Sequence, residues 1–126
     1  MEAKELMIGD WVYNKNIDKP MQVYPMMFSQ MFRQKPDAKT EDYNIFPIPL
    51  TAEILEKNGF RNIGGHWYDC AADYYELEVE AYCDSIWRVF YHSTEFNIGD
   101  ERVFVSHIHE LQHALRLFGI KREIEL

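Results

Sequence analysis

From Tyr75 to Cys83 the chain reads YELEVEAYC, with an apolar residue at every second position. Tyr75, Leu77, Val79, Ala81 and Cys83 fall on one side of an extended chain. Glu76, Glu78 and Glu80 fall on the other, which is the pattern of a half-buried antiparallel strand. Asp84-Ser85 reads as a turn, Ile86 to His92 as the returning strand, 93–100 as a polar loop and Glu101 to Val105 as one more strand. The period changes after Ser106. Ile108, Leu111, Ala114, Leu115 and Phe118 recur at three and four residues, so they predict an amphipathic helix with Ser106 as its N-cap and Gly119 as its C-terminal stop. The last residues, KREIEL, alternate again and suggest an edge strand.

The N-terminal half is patterned in shorter pieces. Trp11-Val12-Tyr13 and Met21 to Tyr24 flank a polar turn, and together they read as a hairpin of a small curved sheet, barrel-like in its tight bend. Met26, Met27, Phe28, Met31 and Phe32 then crowd one segment, which reads either as a short element plugging the core or as a soft surface receiving a partner. Residues 33–44 are polar and loop-like. Pro47 and Pro49 keep the chain extended up to Leu50. Thr51 caps a helix over Ala52 to Lys57 that directs Ile54 and Leu55 to the core, and Asn58-Gly59 ends it in a left-handed turn. Gly64-Gly65 suits a tight hairpin turn. The pattern predicts one α+β domain over 1–126, with sub-regions 1–50 and 51–126. A small curved antiparallel sheet is followed by a short helix and by a meander packed on the C-terminal helix.

Composition narrows the function classes. The 126 residues suffice for one well-packed core, and 47% hydrophobic and 15% aromatic residues supply it. A formal charge of −8 disfavours general nucleic-acid binding, which needs basic surface to displace counterions, and disfavours docking to anionic lipid. It suits a basic protein partner or a cation. No apolar run resembles a signal peptide or approaches the ~20 residues of a membrane helix, so a cytoplasmic location is expected. Cys70 and Cys83 are then expected as free buried thiols. His66 with the two cysteines fits no zinc module closely. The Glu76, Glu78, Glu80 stripe reads as a solvated face, or as a negative surface engaging a basic protein, with Arg88 and His92 on the next strand neutralising part of it.

One stretch carries a chemical motif. His109-Glu110-Leu111-Gln112-His113 spells H-E-x-x-H, which on a helix places two imidazoles at i and i+4 and a general base beside them, as in zinc proteases. Three features oppose that reading. Catalytic zinc needs a third protein ligand, yet Arg116 and Gly119 stand where a longer zinc motif has glycine and histidine, and downstream acids are limited to Glu123 and Glu125. At about 100° per residue, His109, His113 and Arg116 lie opposite the apolar stripe, so a fixed cation would neighbour the metal. Gln112 adds bulk where a small residue is usual. An ordinary surface-facing pair of histidines on an amphipathic helix is the simpler expectation.

Three stretches resemble a group of small uncharacterised bacterial and prophage proteins. Lys4 to Val12 matches a KELRIGNWV-like opening, Phe46 to Phe60 an EPIPLTEEILLKNGF-like middle, and His109 to Leu126 a YVHQLQNLYFALTGEELEI-like close. His109, Leu111, Gln112, Leu117 and Gly119 match that close, whereas Glu110 replaces Gln and His113 replaces Asn. The resemblance covers roughly half of the chain. It implies no particular activity, makes H-E-x-x-H the product of two substitutions in a non-metal helix, and points to a phage or mobile-element context. The expectation is a small non-enzymatic binding or inhibitor module without a cofactor, contacting an unknown protein or small molecule through Met26, Met27, Phe28, Met31 and Phe32 or through Glu76, Glu78 and Glu80. The alternatives are a zinc-dependent hydrolase with His109 and His113 as ligands and Glu110 as base, and a self-assembling homo-oligomer.

Overall fold

The computed structural model describes residues 1–34, 37–71, 75–83, 85–93 and 101–126. It shows an α+β fold with a three-stranded and a five-stranded antiparallel sheet. The chain forms two compact units, Met1–Ile48 with His107–His109, and Pro49–Ser106 with Glu110–Leu126.

In the first unit, β1 (Trp11–Asn14) and β2 (Lys19–Gln22) form the expected hairpin, and β3 (Ile45–Pro47) pairs with the other side of β1. Among the described residues no closed barrel forms: the sheet ends at β2 and β3. Asp18 takes φ 53° in the hairpin turn, a left-handed position that Asp tolerates better than most residues. The methionine-rich segment is a helix, α1 (Pro25–Gln34). It buries Met27 and Met31, at 8% and 1% exposure, beside Ala3, Leu6, Val12, Val23, Ala38 and Ile45. The polar stretch after it includes a 3-10 turn, Thr40–Tyr43, closed by Asn44 in the left-handed conformation.

In the second unit, α2 (Ala52–Lys57) starts where Thr51 Oγ1 accepts a hydrogen bond from the Ile54 N–H at 3.3 Å. It ends at Asn58 and at Gly59, whose φ is 88°. The sheet runs β4 (Arg61–Gly64), β5 (Trp67–Ala71), β6 (Tyr75–Cys83), β7 (Ile86–Ser93), β8 (Glu101–Val105) in that order, each strand beside its sequence neighbours. The expected turn at Asp84 and the loop at 94–100 lie outside the described residues.

Alternation divides the sheet. Leu77, Val79 and Val89 are fully buried on the inner face and Val105 is nearly so. On this side Tyr91 stacks on Phe118 at 4.9 Å, and the Trp87 indole N–H donates to the Leu50 carbonyl at 3.1 Å. Helix α3 (Ile108–Leu117) is followed by Gly119 at φ 76°, the stop the sequence predicts, whereas it begins two residues after Ser106, the N-cap the sequence suggests.

Two expectations for this unit fail. KREIEL forms no strand. The side-chain amide of Asn58 takes the place of a strand: its Nδ2 donates to the Glu125 carbonyl and its Oδ1 accepts from the Glu125 N–H, at 2.8 and 2.7 Å. Ile120 and Ile124 are buried along this tail. Cys83 is exposed rather than buried, while Cys70 is buried, and both thiols are free. The β6–β7 register shifts between Ala81 and Cys83, so Tyr82 is an extra residue and Cys83 leaves the inner face.

Candidate functional site

The outer face of the five-stranded sheet carries most of the chemistry. Register places Trp67 opposite Glu80, Asp69 opposite Glu78, Glu80 opposite Arg88, Glu78 opposite Phe90, Arg88 opposite Phe104 and Phe90 opposite Arg102. Residues directly opposite in antiparallel strands share a face, so acids, arginines and rings interleave across β5 to β8.

The acidic stripe is neutralised in part, as the sequence suggests. Arg88 forms an ion pair with Glu80, its Nε lying 3.1 Å from Oε2. Its guanidinium lies over the Tyr82 ring at 4.5 Å and near the Phe90 ring at 5.2 Å. Held by a carboxylate and two ring faces, this arginine has little freedom left, and each ring contact adds about 0.5–1 kcal/mol. His92 Nε2 lies 3.4 Å from Glu78 Oε1, an ion pair only with a protonated imidazole and a weak one at this exposure. Arg61 Nε lies 3.4 Å from Asp69 Oδ1. Glu76, Glu78 and Glu80 are half-buried, so the stripe is embedded among rings rather than freely solvated. Trp67 packs on Phe90 at 5.7 Å and Tyr82 on Phe104 at 5.6 Å, yet Tyr82 and Phe104 remain 52% and 54% exposed. Exposed aromatics and arginine are enriched at protein contacts in general, whereas glutamate and aspartate are depleted there.

The rings of this patch were not singled out from the sequence. The strand alternation that places the glutamates also places Trp67, Phe90 and Phe104, once the pairing is known. Tyr82 follows from the same alternation, two residues after Glu80, and the register shift leaves it on that face.

A second feature lies at the side of β8 that no strand pairs with among the described residues. Val103, Phe104, Val105, Glu110, His113, Ala114 and Leu117 line a groove of about 380 Å³. Consecutive strand residues point to opposite faces, so a hollow lined by three of them reaches the strand's edge. The four helical residues form one stripe of α3, spaced three and four apart. Leu117 is 70% exposed beside it.

The H-E-x-x-H residues fall into different surroundings. His109 is 5% exposed, contrary to a surface-facing histidine, and its ring stacks on His107 at 5.6 Å. Gln112 is also buried, at 8%. The buried arc of α3 is wider than the apolar stripe, because two polar residues are enclosed with it. His113 is half-buried in the groove wall, and Arg116 is exposed. Glu110 Oε1 accepts a hydrogen bond from the Ser106 N–H at 3.1 Å. That contact satisfies a backbone donor at the helix start, a capping role for the residue placed as general base. Glu123 and Glu125 are exposed on the tail, and His66 is exposed in the β4–β5 turn. Among the described residues no group of three or more His, Cys, Asp or Glu is placed to hold a metal ion.

In the methionine-rich helix, Met26 is 67% exposed and Phe28 half-buried, whereas Met27 and Met31 serve the core. The Phe32 side chain lies outside the described residues. As a contact surface this segment is smaller than the sequence suggests. Among the described residues no helix is long and apolar enough to cross a membrane. Compared with protein-family models, with curated proteins and with solved structures, the chain matches none.

Proposed function

We propose that the protein is a non-catalytic binding module of the cytoplasm, inhibitory to or regulating a protein partner that it contacts through the outer face of the five-stranded sheet. The observation that carries this reading is the set of exposed and half-exposed rings locked between charges, with Arg88 clamped by Glu80, Tyr82 and Phe90. Rigid aromatic anchors beside fixed charges bind at low entropic cost. Glu76, Glu78 and a net charge of −8 select a partner with basic contact residues. The resemblance of the chain's ends and middle helix to small phage and mobile-element proteins supports a partner in a bacterial host. No resident metal is needed for this function.

The test is affinity capture from host extract with cross-linking. Wild type and Met26→Ala are expected to retain the same protein, while Tyr82→Ala and the Glu76→Lys/Glu78→Lys double variant lose it with unchanged circular dichroism. Retention indifferent to those face variants, or no retained protein, overturns the reading. Elemental analysis addresses the hydrolase alternative. Substoichiometric zinc, unchanged in His113→Asn, is expected, and one zinc per chain that this variant loses would make the protein a metal enzyme candidate.

A further inference from the structure

The two edges of the five-stranded sheet are built differently. At β4 all four residues are exposed and the register shifts between Asn62 and Gly64, a device that keeps an edge from pairing. At β8 the register with β7 is unbroken from Trp87–Val105 to Tyr91–Glu101, and among the described residues no strand pairs with its other side. That side borders the groove beneath Val103, Phe104 and Val105.

The outer face specifies what would fit there. β7 presents Arg88 then Phe90, and β8 answers with Phe104 then Arg102, so cation and ring alternate both along and across the strands. An added antiparallel strand continues this checkerboard if it sets a cation opposite Phe104 and a ring opposite Arg102. Read in its own chain direction, such a strand runs basic, any residue, aromatic. Arg102-Val103-Phe104 has that order.

We propose that a second copy of this chain occupies the edge. The two β8 strands pair antiparallel about a two-fold axis at Val103. Arg102 of each copy then faces Phe104 of the other on the outer side, and Val103 faces Val103 on the inner side. The contact is isologous and closes at two copies, so it forms a dimer with a continuous ten-stranded sheet rather than a fibre. It removes the unpaired edge and shelters Phe104 and Leu117, two of the large apolar side chains left exposed. The pairing uses the strand edge and shares Phe104 with the outer-face patch, whereas the variants that test partner binding lie at Met26, Glu76, Glu78 and Tyr82.

Sedimentation of the full chain over a concentration series tests it. Wild type is expected to pass from monomer to dimer below about 1 mM chain. Phe104→Arg sets Arg102 against a second arginine twice per dimer, and it raises the dimer midpoint by about tenfold or more. Mixing Phe104→Arg with Arg102→Phe restores cation opposite ring at every position, so a heterodimer forms. Circular dichroism of each variant reports its fold. Independently of these variants, Val103→Cys in a Cys83→Ser background becomes a disulfide-linked dimer when diamide oxidises the two facing thiols. A wild-type chain monomeric throughout the series overturns the proposal. So does a dimer whose midpoint Phe104→Arg leaves unchanged, or one in which Val103→Cys does not cross-link.

Discussion

The two faces of the five-stranded sheet arise from the same alternating sequence yet solve different physical problems. The inner face excludes water around Leu77, Val79, Val89 and Val105, and its contacts are mostly non-directional. The outer face keeps Glu80, Arg88, Tyr82 and Phe90 in fixed relations through an ion pair and ring contacts. One face sets how stable the unit is, and the other sets what it presents. Substitutions on the first should therefore change stability, and those on the second should change recognition at small cost to stability.

The sharpest test of that division is Leu77→Ala. It removes a fully buried side chain from the middle of β6, and denaturant unfolding should show a loss of about 2–5 kcal/mol. A loss below 1 kcal/mol would show that the inner face is not a packed core. Gly59→Ala comes next. Its φ of 88° disfavours a side chain, and an added Cβ would lie 2.6 Å from Arg122 Nη2. That arginine donates to the Asn58 carbonyl at 2.8 Å and to Cys70 Sγ on the inner side of β5, and it sits 5.7 Å from the Phe60 ring. Thermal unfolding of Gly59→Ala should show a loss of about 1–2 kcal/mol, because the arginine must move from these partners.

On the outer face, Arg88→Ala should cost about 1–2 kcal/mol of stability, from the lost ring contacts and an ion pair whose side chains retain 22% and 18% exposure. It should nevertheless reduce partner capture as strongly as Tyr82→Ala does. Equal losses for Arg88→Ala and Leu77→Ala would erase the distinction between the faces. The smallest effect is expected outside this sheet. Glu2 accepts from Lys4 at 3.0 Å and lies 3.6 Å from Lys39, and the hydrogen bond and charge of Lys4 above all hold its carboxyl below the usual glutamate range. A lowered folded-state pKa means that the stabilisation is present above the unfolded pKa and is lost as pH falls through the folded one. An NMR titration should place the Glu2 carboxyl below the usual glutamate range, and Glu2→Gln should flatten that small acid-side loss.

Much of the fold was legible because local patterns there agree with tertiary packing. Thr51 and Asn58-Gly59 mark the ends of α2, and YELEVEAYC marks β6. The candidate site was legible only in part. Glu76, Glu78 and Glu80 are visible as a stripe, and Arg88 and His92 as its neutralisers, since strand pairing is local in a meander. The role of Glu110 was not visible, because catalytic base and helix cap are the same residue type at the same helical position. Burial of His109 was hidden for a related reason: an imidazole on the polar side of a wheel becomes interior only when something packs there.

By itself, the sequence determined the periods of β6 and α3, both ends of α2, and the acidic, aromatic-rich character of the chain. These follow from residue-level sterics and from the geometry of strand and helix. Only the tertiary structure decided which side of β6 Cys83 occupies, that Asn58 replaces a strand for the tail, and that the groove beside β8 takes Glu110 and His113 into its wall. Each of these depends on a register shift or on a contact between residues distant in the chain, and no local pattern records the partner that closes it.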